Sequence, residues 1–187
     1  MSMIHLLFAA IALLSLLAAA WDVRSGEIPN WLVASGFLLA FPLHGAVHFW
    51  VLAPPGQPAA SVALGALGSI AGGALVCGVA PFLLWRMNAM GGGDVKLLAA
   101  IGALAGPMVG IEIEFYAFAL TALYAFAQVA YRGQLLRMIG SSFALALNPL
   151  LPTARRREVP RAWLTSLRFG PSVLVAALLV IGLRLVA

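Results

Sequence analysis

The chain has 187 residues, 63% of them hydrophobic and only 9% charged, with a mean hydropathy of +1.03. Soluble globular domains carry roughly a quarter charged residues, so the composition implies an integral membrane protein with little length left for a soluble domain. The net charge of +5 and pI of about 10.4 do not call for nucleic acid, because arginines and lysines of a membrane protein collect on its cytoplasmic side against anionic lipid.

With spans of about twenty residues each, the length predicts a single membrane-embedded domain over residues 1–187, an all-α bundle of about six transmembrane helices. Span one covers approximately residues 3–20. It ends in Ala18-Ala19-Ala20, which imitates a cleavage site, but no Lys or Arg precedes it and it reads as a retained span. The polar run Trp21-Asp22-Val23-Arg24-Ser25-Gly26-Glu27-Ile28-Pro29-Asn30 follows. Span two, residues 31–52, passes through Pro42 and ends among Phe49 and Trp50, and the loop Pro54-Pro55-Gly56 leads to span three, residues 61–85. After Arg86 comes Gly91-Gly92-Gly93-Asp94-Val95-Lys96, which opens a short span four over residues 95–111. Glu112 and Glu114 are expected to form the polar break before span five, residues 115–131. The segment 132–168 collects most of the arginines, including Arg155-Arg156-Arg157, and span six covers residues 169–187. Within that segment Leu135, Leu136, Ile139, Phe143 and Leu147 recur at helical spacing beside Arg132 and Arg137, which predicts an interfacial helix.

This layout places ten of the eleven positive residues on one side and leaves Arg184 opposite. The Asp22 loop, the glycine loop and the 132–168 segment are therefore expected to face the cytoplasm, with Glu112, Glu114 and both termini outside. Gly102, Gly106 and Gly110 in span four, and Gly68 and Gly72 in span three, predict close helix packing. Cys77 is the only cysteine, so there is neither a disulfide framework nor a paired-cysteine zinc site, and it reads as packing. His44 and His48 lie four apart on one helix face, with His5 also toward the outer side. They are expected to be interface histidines, and no metal is assigned.

Asp22 and Asp94 are the only aspartates, and this topology brings both to one depth although 72 positions separate them. A carboxylate at a membrane boundary is costly unless paired or hydrated, which makes each a candidate site residue. Asp94 alone could be an N-cap, and Asp22 alone an ordinary loop acid beside Arg24. Together they suit peptide hydrolysis: two close carboxylates share one proton, the ionised one activates water and the protonated one polarises the scissile carbonyl. The glycines leave room for an unwound substrate backbone, and Lys96, too close to Asp94 to share its helical face, is expected to reach toward lipid headgroups.

Gly91-Gly92-Gly93-Asp94-Val95-Lys96 resembles the GxGD motif of the type IV prepilin peptidases. Asp22 with Arg24 and Ile28-Pro29-Asn30 resembles that family's first aspartate motif. Phe169-Gly170-Pro171 resembles the tyrosine-glycine-proline element opening its last helix, with Phe169 where Tyr is usual and Arg168 where Pro is often found. The resemblance implies a membrane aspartyl endopeptidase that removes the basic leader from prepilin or pseudopilin precursors at the cytoplasmic face of the bacterial inner membrane. Asp22 and Asp94 would be catalytic; Gly91, Gly92, Gly93, Lys96, Ile28, Pro29, Asn30, Gly170 and Pro171 would line the site. No cofactor is implied. The cysteine-containing insert of the bifunctional members is not found, so N-methyl transfer is not expected. The rival reading is a proton-coupled transporter, which would put its acids near the midplane and commonly shows inverted repeats; a structural membrane subunit is the third.

Overall fold

A computed structural model describes residues 3–52, 56–87, 89–131 and 168–186. Among them are five α-helices and no strand: α1 (Met3–Ser25), α2 (Asn30–Val47, prolonged by a π-helical turn His48–Leu52), α3 (Ala59–Arg86), α4 (Gly92–Tyr131) and α5 (Gly170–Val186). Four stretches, Met3–Ser25, Asn30–Leu52, Ala59–Arg86 and Gly92–Gln128, are long and apolar enough to cross a membrane, and α5 is a shorter apolar helix. The predicted interfacial helix and the Arg155 cluster lie outside the described residues. The chain divides into two compact units, Met1–Phe118 with Arg168–Ala187, and Ala119–Leu167. In the second, the described part is the end of α4, and the site lies wholly in the first.

Helices α1, α2, α3 and α5 each bury a stripe at helical spacing, whereas α4 is buried on nearly all sides from Ala100 to Gly106. In α1 the stripe is Leu7, Ile11, Ser15, Ala18 and Asp22, so the periodicity that buries the apolar residues also turns the Asp22 carboxylate inward. The α5 stripe, Gly170, Val173, Ala177 and Ile181, serves the extensive packing of α5 on α1, where Ala18, Ala19, Ala176 and Ala177 let the backbones approach. Against α1 on another side lies α2, whose Gly36 is the contact point: a Cβ there would meet Leu14 Cδ2 at 2.8 Å and the Ala100 methyl at 3.3 Å.

The close approach in α3 uses Gly73 rather than the expected Gly68 and Gly72. Gly73 shares the buried stripe with Ile70 and Cys77, and a Cβ on it would run into the Gly102 carbonyl, whereas Gly68 has nothing within 4 Å. Gly102 is reciprocally blocked, by Gly73 and by Cys77 Cβ at 2.7 Å.

The break in the fourth helix falls at Gly106, not at the glutamates. Gly106 adopts φ 76° and ψ 170°, a conformation open to glycine, and Pro107 follows with no N–H to continue the ladder. A Cβ on Gly110 would lie 3.0 Å from Gly102 Cα, whereas eight residues of straight helix span roughly 12 Å. The segments before and after Gly106 therefore fold against each other. The break frees the Leu104 carbonyl, which His44 Nε2 meets at 3.0 Å. His44 is thus a buried residue joining α2 to this turn, not an interface histidine; His48 Nδ1 meets the His44 carbonyl at 3.0 Å, and Ser69 Oγ lies 3.3 Å from His48 Nε2.

Glu112 and Glu114 sit within helix beyond the turn. Glu112 pairs with Arg184 at 2.7 Å, and Glu114 is buried with its carboxylate hydrogen-bonded to the Cys77 thiol. Two acids in an apolar run look like a polar break in sequence, but each has a side-chain partner, and the backbone turns where glycine and proline permit it.

Candidate active site

Asp22 lies in the last turn of α1, within the helix and not in a loop, and is only 6% exposed. The helix stops because Gly26, at φ 71°, takes the left-handed conformation and its N–H closes on the Asp22 carbonyl at 2.9 Å. Ser25 Oγ donates to the Trp21 carbonyl at 2.9 Å. Four residues later Pro29, extended at ψ 139°, starts α2, its carbonyl accepting from Leu32 N–H at 3.1 Å. The polar run is thus a tight link that sets Ile28, Pro29 and Asn30 beside the end of α1.

Asp94 stands in the first turn of α4, not at its N-cap. Gly91 precedes the helix, its N–H donating to the Asp94 carboxylate and its carbonyl accepting from Val95 N–H at 3.4 Å. Leu97, Leu98 and Ile101 continue inward on the same face at helical spacing. The Asp22 and Asp94 carboxylates are close enough for the charge of one to bear on the other.

Two contacts join the Asp94 motif to the Asp22 motif. A Cβ on Gly93 would touch Ile28 at 3.5 Å, and Lys96 Nζ donates to Asn30 Oδ1 at 2.9 Å. Lys96 is therefore tied to the polar link after α1 and does not reach for headgroups, because Asn30 at the head of α2 presents an acceptor within its span. Trp85, at the end of α3, approaches Gly92 with its indole Nε1, 3.4 Å from where a Cβ would be. Trp21 and Trp31 pack edge to face, centroids 5.5 Å apart, at the same end.

The third motif closes the site from α5. Gly170 N–H donates to Asp22 Oδ2 at 2.8 Å, and a Cβ on Gly170 would stand 2.9 Å from both Asp22 Cβ and Oδ2. Phe169 is buried with its ring 5.4 Å from that of Phe118. Pro171 lies in the first turn of α5, where its missing N–H costs nothing. Arg168 Nη1 donates to the Asp22 carbonyl at 2.7 Å and to the Val23 carbonyl.

Arg168, Trp85 and the Glu114–Cys77 pair were not legible as part of the design. The departure at Arg168 from the family pattern was the available signal for the first. Cys77 packs as expected, yet it also partners an acid. Among the described residues no group of three or more His, Cys, Asp or Glu could hold a metal ion.

The chain is thus a helical bundle able to span a membrane, with two carboxylates within electrostatic reach of each other at the junction of three glycine-containing segments. Residues 8–126 match the type IV leader peptidase family, and the chain belongs to that family. The match takes in both aspartate motifs and ends before Phe169-Gly170-Pro171. No curated protein and no solved structure matches the chain. Membership implies a membrane protease.

Proposed function

We propose that the chain is a membrane aspartyl endopeptidase that removes the basic leader from prepilin or pseudopilin precursors at the cytoplasmic face of the bacterial inner membrane, with Asp22 and Asp94 as its catalytic pair. The observation that carries this is the electrostatic meeting of the two carboxylates, 72 positions apart, at the point where the two aspartate motifs touch through Gly93 and Ile28.

The chemistry follows from their proximity. Two carboxylates brought within electrostatic reach of each other suit the sharing of one proton. The ionised member takes a proton from water as the water oxygen attacks the scissile carbonyl, and the protonated member donates to the carbonyl oxygen. As the C–N bond breaks, the aspartate that took the water proton gives it to the leaving amine while a hydroxyl of the tetrahedral intermediate returns its proton to the other aspartate, which restores the shared-proton state. The taking and giving of the proton are assigned to the pair and not to either aspartate separately. Backbone N–H groups of Gly170 and Gly91 each fix one carboxylate and leave an oxygen to serve water. Gly91, Gly92 and Gly93 admit an extended substrate strand, since a peptide bond still inside a helix offers no room for attack. Ile28, Pro29, Asn30, Lys96 and Pro171 shape the rim.

The turn at Gly106 supports reading α4 as two passes, which gives six in all. The end bearing Arg24, Arg86, Lys96 and Arg168 would then face the cytoplasm, with Trp21, Trp31 and Trp85 at the headgroup level.

Co-expression with a candidate prepilin tests the proposal. Wild type is expected to remove the leader, and Asp22→Asn and Asp94→Asn are expected to leave the precursor intact. Processing at the normal rate by either variant would refute the dyad.

A further inference from the structure

We propose that Arg168 is a positioning residue that fixes the Asp22 carboxylate, an assignment that rests on the dyad reading above. The last carbonyls of a helix lack intrahelical partners, and those of α1 end beside the carboxylate that must be held. Arg168 Nη1 donates to the carbonyls of Asp22 and Val23, the former at 2.7 Å, and two residues later Gly170 N–H donates to Asp22 Oδ2 at 2.8 Å. One three-residue segment therefore grips the same aspartate at its backbone and at its carboxylate.

Phe169, between the two grips, is buried with its ring 5.4 Å from that of Phe118, which gives the segment a third attachment. An aspartate side chain has two torsions. With its carbonyl and one carboxylate oxygen both anchored to a pinned segment, the plane it presents to Asp94 is set. A plain helix cap would not require this arrangement, since the Gly26 N–H already closes on the Asp22 carbonyl at 2.9 Å and Arg168 adds a second donor to the same oxygen. The guanidinium suits the place for two reasons: its donors sit in a rigid planar group, and its charge faces the negative end of the α1 dipole.

The test uses the purified full chain in proteoliposomes with a synthetic prepilin peptide carrying a basic leader and an apolar helix. Arg168→Ala is expected to lower kcat about tenfold to a hundredfold, the scale of a small misplacement of a catalytic group, with KM within about twofold of wild type. Arg168→Lys, which keeps a cation with N–H donors, is expected to recover most of the loss. The assignment is overturned by an Ala variant whose kcat matches wild type, by a loss that resides in KM, by a loss that Lys does not relieve, or by a loss matched by the fall in folded protein on size exclusion. Asp94→Asn runs alongside: if it cleaves like wild type, the dyad reading is what fails. A second readout needs no cleavage. Amide exchange over residues 21–26 should rise in Arg168→Ala and fall back in Arg168→Lys, and unchanged exchange overturns the positioning role by itself.

Discussion

Asp22 and Glu114 are both buried acids in an apolar bundle, yet their surroundings differ in kind. Asp22 receives a backbone N–H from another helix, bears electrostatically on a second carboxylate and lies where three separated stretches of chain converge. Glu114 is hydrogen-bonded to a single thiol, beyond a packing zone in which Gly73, Gly102 and Gly110 press the helices together. Burial of an acid is therefore not what marks the site. What sets Asp22 apart is an oriented backbone donor and a like charge acting on one carboxylate, the arrangement the proposed dyad requires.

The comparison breaks most directly by exchanging the acids for amides. Asp22→Asn and Asp94→Asn should each lower the rate of leader removal by about a thousandfold or more, since an amide can neither take nor hold the shared proton, while Glu114→Gln should stay within about threefold. A deep loss in Glu114→Gln would place that acid in the chemistry and erase the distinction. Gly170→Ala comes next. The new methyl would stand 2.9 Å from the Asp22 carboxylate, and a displaced catalytic group should cost roughly a hundredfold in kcat with the protein still folded. An unchanged kcat would mean that Asp22 tolerates movement.

The packing zone should respond in stability. Gly102→Ala, blocked by the Gly73 backbone and by Cys77, is expected to cost about 3 kcal/mol, the upper end for overpacking, seen as a fall in the detergent melting temperature. Gly68→Ala, with open space around it, supplies the control. The smallest effect belongs to Lys96→Ala, which loses one exposed hydrogen bond to Asn30 worth about 1 kcal/mol or less. A large loss of cleavage with stability intact would move Lys96 from the rim into contact with substrate.

How much of this could be read from sequence depends on what each feature rests on. Asp22 and Asp94 stood out because a charge near an apolar run is rare, and because the glycines and the Ile28-Pro29-Asn30 turn carry local conformational requirements. The helix count and the position of the break were less legible. Gly106-Pro107 is embedded in apolar sequence, whereas Glu112 and Glu114 look polar, and only the folded chain supplies Arg184 and Cys77 as their partners. Lys96 was misdirected for the same reason, since Asn30 is 66 positions away. His44 answers a carbonyl that becomes free only once the chain has turned at Gly106.

The bond from Gly170 N–H to Asp22 Oδ2 links groups 148 positions apart, and it has a temporal meaning. A ribosome delivers both aspartates well before it delivers the segment that orients the first of them. A growing chain would thus carry both aspartates, with Asp22 lacking this donor, until α5 docks on α1. On the proposed reading, docking of that helix is the step that completes the site, and a chain halted before Arg168 should be inert.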